Sequence, residues 1–264
     1  MRVWGVAALL AGAFATTPAS EVAALRDFYG ALGGDGWLID RNWNGSSRSS
    51  DPCGGRFLEQ PWHGIKCETN SSSSDATHVV GLALDHNRLH GTLPASLADL
   101  PRLRTLDLVL NQVAGTTPEA ICALRELEML EVQFNSMSGT IPSCLANCTE
   151  LSVIDYTLNS APGLSGTIPV SLCALRGLGY FGLQYTTGLT GLVPDCFGVD
   201  QPNLYTLALE GNQLTGPIPS SICNASSLVI LLLHDNHLTG PIPRCLGDLF
   251  QLQQLAVRAR CSPL

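Results

Sequence analysis

Between Val79 and Gln251 a unit of roughly 24 residues returns seven times, carrying its apolar positions, one Asn, one Gly and one Pro in a fixed order. The second unit shows the pattern plainly: Leu103, Leu106, Leu108, Asn111, Val113, Gly115 and Pro118, followed by Ile121 and Leu124. Units start at Val79, Leu103, Leu127, Leu151, Leu178, Leu204 and Leu228, and an incomplete eighth starts at Leu252. Periods in this range mark a solenoid, in which each unit buries its apolar face only against its neighbours.

Each recurring residue has a physical reason to recur. The pairs Leu82/Leu84, Leu106/Leu108, Leu130/Val132, Ile154/Tyr156, Phe181/Leu183, Leu207/Leu209 and Leu231/Leu233 alternate with period two, as inward residues of a short strand do. Eight such strands spaced about 4.8 Å apart make a parallel sheet roughly 34 Å long. Asn87, Asn111, Asn135, Asn159, Asn212 and Asn236 follow the strands at one offset, where an amide can satisfy turning backbone from inside. Thr186 breaks that ladder in the fifth unit. A Gly suits the corner of each unit, and a Pro three residues later fixes the chain where no ladder hydrogen bond is needed.

Cysteine positions can be set against the repeat. Cys122, Cys173 and Cys223 each lie four residues after a unit's Pro, and Cys144, Cys196 and Cys245 each lie two residues after the next. These offsets suggest bridges Cys122–Cys144, Cys173–Cys196 and Cys223–Cys245 along the convex side, each contributing about 3 kcal/mol if unstrained. Cys148 takes the inward place held by Leu100, Leu124, Leu175 and Leu249, and reads as a buried thiol rather than a nucleophile. Cys261 is left over.

The complete pattern resembles the plant-type leucine-rich repeat, most closely at Gly216-Pro-Ile-Pro219 and Gly240-Pro-Ile-Pro243. That group includes ectodomains of receptor-like kinases, receptor-like proteins and polygalacturonase-inhibiting proteins, with similar arrays in protists. The resemblance implies an α/β solenoid with a parallel concave β-sheet, a convex side of short or 3-10 helices and a helical, disulfide-bonded N-terminal cap. Trp62-His-Gly-Ile-Lys-Cys67 resembles the end of such a cap, which implies a Cys53–Cys67 bridge. The helical spacing of Val22, Leu25, Phe28, Tyr29 and Leu32, stopped by Gly33-Gly34, matches the cap helix, with Trp37 and Trp43 packed beneath it. Insertions at residues 45–50 and 54–60 and the Ser71–Ser74 run depart from the cap pattern.

The expected organisation is a secretory signal over 1–19, cut after Ala15 or Ala19, a cap over 20–78, seven units over 79–251 and a partial eighth unit or cap over 252–264. Met1-Arg2 and the apolar run to Ala15 suit a secretory leader and are too short to span a bilayer. Ten Cys and the sequons at Asn44, Asn70, Asn147 and Asn224 agree with an oxidising, glycosylating route, hence a secreted or extracellular chain, with cell surface or wall as alternatives.

Function should reside where the repeat is broken or faces outward. One outward column runs Ala83, Asp107, Glu131, Asp155, Gly182, Ala208, Leu232, Ala256; the next runs Asp85, Val109, Gln133, Thr157, Gln184, Glu210, His234, Arg258. Leu110, Phe134, Leu158 and Tyr185 run beside them, with Tyr180 on the other flank. The fourth and fifth units are lengthened at Ser160–Gly163 and Thr186–Gly188, which would form a lip over the aromatic edge. The candidate ligand-binding residues are therefore Asp107, Glu131, Gln133, Phe134, Asp155, Tyr180, Gln184 and Tyr185.

Catalysis finds little support: no phosphate loop ends in Lys, and Lys66 is the single lysine. His86 with His90, and His234 with His237, straddle a strand and its corner, so they read as surface residues and no metal or other cofactor is expected. The formal net charge of −8 and pI of about 5.1 disfavour nucleic acid, and no later apolar stretch is long enough to span a membrane. The leading reading is a non-enzymatic recognition module for an extracellular protein, peptide or cell-wall glycan. Alternatives are an inhibitor of a secreted hydrolase, the ectodomain of a membrane receptor kinase, and an ice-binding or structural surface protein suggested by Ser and Thr columns.

Overall fold

A computed structural model describes residues 16–44, 51–54, 60–69, 76–159 and 163–258. The leader up to Ala15, Asn70, Cys261, residues 160–162 of the unit-four insertion and the loops at 45–50, 55–59 and 71–75 lie outside the described residues.

Eight parallel strands, one per unit, form the main sheet from Thr77–Ala83 through Thr105–Asp107, Met129–Glu131, Val153–Asp155, Tyr180–Gly182, Thr206–Ala208 and Ile230–Leu232 to Gln254–Ala256. Their register is constant: Ala83 pairs with Asp107, Asp107 with Glu131, Glu131 with Asp155, Asp155 with Gly182, Gly182 with Ala208, Ala208 with Leu232 and Leu232 with Ala256. The inward residues Leu82, Leu106, Leu130, Ile154, Phe181, Leu207 and Leu231 are fully buried in one continuous core. Register holds because a slip of one residue would turn each of these to solvent.

The Asn ladder joins unit to unit. Asn159 accepts from the Met137 amide at 2.8 Å and donates to the Val132 and Tyr156 carbonyls at 2.9 and 2.8 Å. Asn111, Asn135 and Asn236 repeat the arrangement. At the break, the Thr186 hydroxyl lies 2.7 Å from Asn212 Oδ1, which takes the acceptor that elsewhere binds a backbone amide.

Two features were not anticipated. After each corner the chain enters a second parallel sheet of seven short strands, from His90–Thr92 to His237–Thr239. The main sheet also gains a ninth, antiparallel strand, Ile65–Thr69, on its N-terminal edge. The convex side carries 3-10 turns beginning after Pro94, Pro118, Pro142, Pro169, Pro219 and Pro243. Among the described residues four disulfides are formed: Cys53–Cys67, Cys122–Cys144, Cys173–Cys196 and Cys223–Cys245, with Cα atoms 5.6–5.9 Å apart. Cys148 is fully buried and free, donating weakly to the Ile121 carbonyl, and burial pushes its thiol pKa up.

The cap is built on a helix, Ala19–Ala31, which buries Ala24, Leu25 and Phe28. Trp37 and Trp43 pack edge-on at 5.0 Å, and Trp43 continues to Trp62. Glu21, almost fully buried, clamps the helix to the first strand by accepting from the Val79 amide at 2.8 Å and meeting His78 Nδ1 at 2.6 Å. The Thr17 hydroxyl donates to Asp51 at 2.5 Å. No helix among the described residues is long and apolar enough to cross a membrane.

Candidate functional site on the concave sheet

The sheet's register brings Asp107, Glu131 and Asp155 side by side in successive strands. Partial burial raises all three pKa values. For Glu131 the charges of Asp107 and Asp155 add to the rise, while a hydrogen bond from Gln133 opposes it. Carboxylates spaced by one strand repeat repel each other in this way wherever solvent only partly screens them. Lys66 and His86 temper the field at Asp107.

Asp155 is 6% exposed, and what covers it depends on the next unit. Gly182 occupies the acid column there, and a Cβ at that position would lie 2.7 Å from both Asp155 Oδ1 and Tyr180 Cε1. Lacking it, the strand leaves room for Tyr180 beside Asp155, close enough that each acts on the other's titration. Burial first, then Asp155 and Glu210, hold the phenol well above its ordinary pKa.

From Asp155 a polar network crosses two more units. Asp155 Oδ1 accepts from the Thr157 amide at 2.9 Å, and the Thr157 hydroxyl donates to Gln184 Oε1 at 3.2 Å. Gln184 Nε2 in turn donates to Glu210 Oε1. Glu210 is 4% exposed, and its Oε2 has no hydrogen-bond partner among the described residues. Gly182, Thr157 and Glu210 were not among the candidates drawn from sequence, although their column positions were assigned. A Gly interrupting a run of acids was the available signal.

The rim beside these columns follows a different rule. Leu110, Phe134, Leu158 and Tyr185 have φ of 55°, 57°, 57° and 51°, a left-handed conformation that costs an L-residue about 1–2 kcal/mol. Their exposures are 41%, 43%, 36% and 41%. At the equivalent place units one, six and seven have His86, Gly211 and Asp235. Four adjacent units thus hold large apolar residues in solvent, on backbone better suited to Gly or Asn. Tyr185 lies over Gly211, where a Cβ would approach its ring to 2.2 Å.

Of the eight candidates, Asp155 and Gln184 join the network and Tyr180 lies beside it, Asp107, Glu131 and Gln133 extend the two columns toward the N-terminus by strand register, and Phe134 and Tyr185 stand on the rim. The two lengthened units adjoin: Gly163 packs so tightly on Thr186 that a Cβ there would reach its carbonyl oxygen at 2.3 Å. The sequon residues Asn44, Asn147 and Asn224 are exposed, the last two on the convex side at the ends of 3-10 turns. Among the described residues no group of three His, Cys, Asp or Glu has an arrangement able to hold a metal ion.

With this geometry in hand, comparison with known proteins is specific about the repeat. Leucine-rich-repeat family models match residues 77–137, 203–225 and 227–249. A probable leucine-rich repeat receptor-like protein kinase of Arabidopsis thaliana is 33% identical over 95 residues, covering 36% of this chain and 8% of that protein. Among solved structures, the PEPR1–AtPEP1 complex is similar with a TM-score of 0.72 and 28% identity, over 92% of this chain and 32% of that one. The Arabidopsis receptor kinase HAESA, in complex with the peptide hormone IDA and the co-receptor SERK1, is similar with a TM-score of 0.67 and 26% identity, over 93% of this chain and 42% of that one. The repeats and these likenesses to plant receptor-kinase ectodomains support a plant-type leucine-rich-repeat protein. The chain spans less than half the length of each of these relatives.

Proposed function

We propose that this chain is a non-enzymatic recognition module that binds an extended peptide along its concave sheet, in the space between the acid column and the apolar rim. The observation that carries this reading is the rim itself. Four bulky residues in adjacent units, all exposed on left-handed backbone, weaken the free protein, and a cost of this kind is retained at sites where strain serves function. An extended partner can cover Leu110, Phe134, Leu158 and Tyr185 together, and rigid aromatic anchors of this type dominate binding energy. Similarity to HAESA, whose solved structure contains a peptide hormone, supports a peptide over a glycan.

The chain is read as extracellular. Four disulfides, the exposed sequon residues and the apolar leader support export. Cleavage after Ala15 fits better than cleavage after Ala19, because it keeps the contact of Thr17 with Asp51.

A random twelve-residue peptide display library, panned on the wild type, tests the reading. Enriched peptides should lose at least about tenfold in affinity for a Phe134→Ala/Tyr185→Ala variant. Peptides that bind both proteins equally would overturn the placement.

A further inference from the structure

We infer that the ligand of this surface is a basic peptide segment, whose arginine or lysine side chains are received by Asp107, Glu131, Asp155 and Glu210. The inference rests on the reading above and deepens it. Its first support is sign: from unit two to unit seven the two outward columns and the rim contain five carboxylates, Asp107, Glu131, Asp155, Glu210 and Asp235, and no Lys or Arg. The nearby basic groups are few, and His234, which follows Glu210 in its column, makes no hydrogen bond to it and faces Asp235 at 3.9 Å. Lys66 and His86 reach only the Asp107 end, and Arg104 on the flank is engaged by Glu68 at 2.7 Å and by Glu126 at 3.3 Å.

Glu210 supplies the second, independent support. A carboxylate taken almost completely out of water needs partners for both oxygens, because an unmatched buried charge is strongly unfavourable. Oε1 has Gln184; Oε2 has none among the described residues. It belongs to the same site as the acid column, since its charge and that of Asp155 both act on the Tyr180 hydroxyl. A guanidinium or ammonium entering between Tyr180 and Glu210 would supply what is missing.

Spacing favours a peptide over a single cation. The acids are spread over five strands, about 19 Å, and form no metal cluster. An extended segment of about six residues covers the same length, with alternate side chains directed to the acids and to the rim. A chain alternating basic and apolar residues satisfies both columns at once.

The test is fluorescence anisotropy with a labelled, end-blocked octapeptide of alternating arginine and leucine, at about 0.15 M salt to suppress distant charge effects. Wild type should bind it, and a glutamate–leucine octapeptide should not bind. Glu210→Gln and Glu131→Gln should each weaken binding about tenfold or more, whereas Glu119→Gln, exposed on the convex side, should leave it unchanged. The two site variants are near-isosteric, and thermal melting checks their folding. The inference is overturned if the arginine peptide does not bind, if the glutamate peptide binds as well, if neither site variant weakens binding, or if Glu119→Gln weakens it equally. Display peptides that depend on Phe134 and Tyr185 yet lack basic residues would sink the charge preference alone. Display peptides indifferent to Phe134 and Tyr185 would sink the underlying reading first.

Discussion

Residues adjacent in sequence obey opposite rules in the inner seam and the outer rim. Asn111, Asn135 and Asn159 turn inward and each satisfies backbone of the preceding unit. Leu110, Phe134 and Leu158, one residue earlier, turn outward on strained backbone and stand in solvent. Every unit but the fifth keeps the Asn, because polar backbone in a dry corner must be paired within the fold, and in the fifth Thr186 donates to the Leu183 carbonyl instead. The rim changes from unit to unit because no partner within the fold fixes its identity. Its variation is therefore where specificity can be written.

The sharpest way to test the seam is Asn159→Ala. It strands the Tyr156 carbonyl and the Met137 amide, at about 1–3 kcal/mol for each buried group left unpaired, and leaves the Val132 carbonyl only its bond from Asn135. A loss of at least about 2 kcal/mol, or a melting temperature lower by about 4–8 °C, is expected in calorimetry. Gly211→Ala probes the place where rim and corner meet. The added Cβ must adopt φ near 71° and displace the Tyr185 ring, so stability should fall by about 1–2 kcal/mol and affinity for display-selected peptides should fall with it.

Phe134→Asn separates the two regions most cleanly. Asn tolerates left-handed backbone, so denaturant titration should show a gain of up to about 1 kcal/mol while peptide binding is lost. If stability falls instead, the rim residue supports the fold rather than a ligand. Glu131→Gln should have the smallest effect. The folded-state pKa of Glu131 lies above its unfolded value, so its contribution to stability is fully present below about pH 4 and is lost as pH rises through the folded pKa. The variant should melt above wild type at pH 7, with the difference closing as the pH approaches 4. A constant difference across that range would argue against repulsion in the acid column.

Much of this could be read before any coordinates. The strand columns were legible because a parallel repeat with a fixed offset converts sequence period directly into register, as the pairing of Asp107 with Glu131 and Asp155 shows. Cys offsets across Pro118 and Pro142 led to a pairing that the structure forms for the same reason. The second sheet was not legible. Its strands are short, contain Gly and even Pro217, and pair only between units, so they read locally as corners. The antiparallel strand Ile65–Thr69 was hidden too, since nothing in its own residues specifies an edge partner. Only packing showed that Glu21 clamps the cap helix to the first strand.

The sequence by itself determined the solenoid, its inner ladder and the order of residues along each outward column, because these follow from periodicity and from what a backbone corner must have satisfied. Only the tertiary structure decided that Tyr180 lies beside Asp155 in the space left by Gly182, that Glu210 is buried with one oxygen unmatched, and that the rim residues are held in left-handed backbone. Burial and side-chain direction depend on neighbours 22 to 27 residues away, and become physical only when the units are stacked.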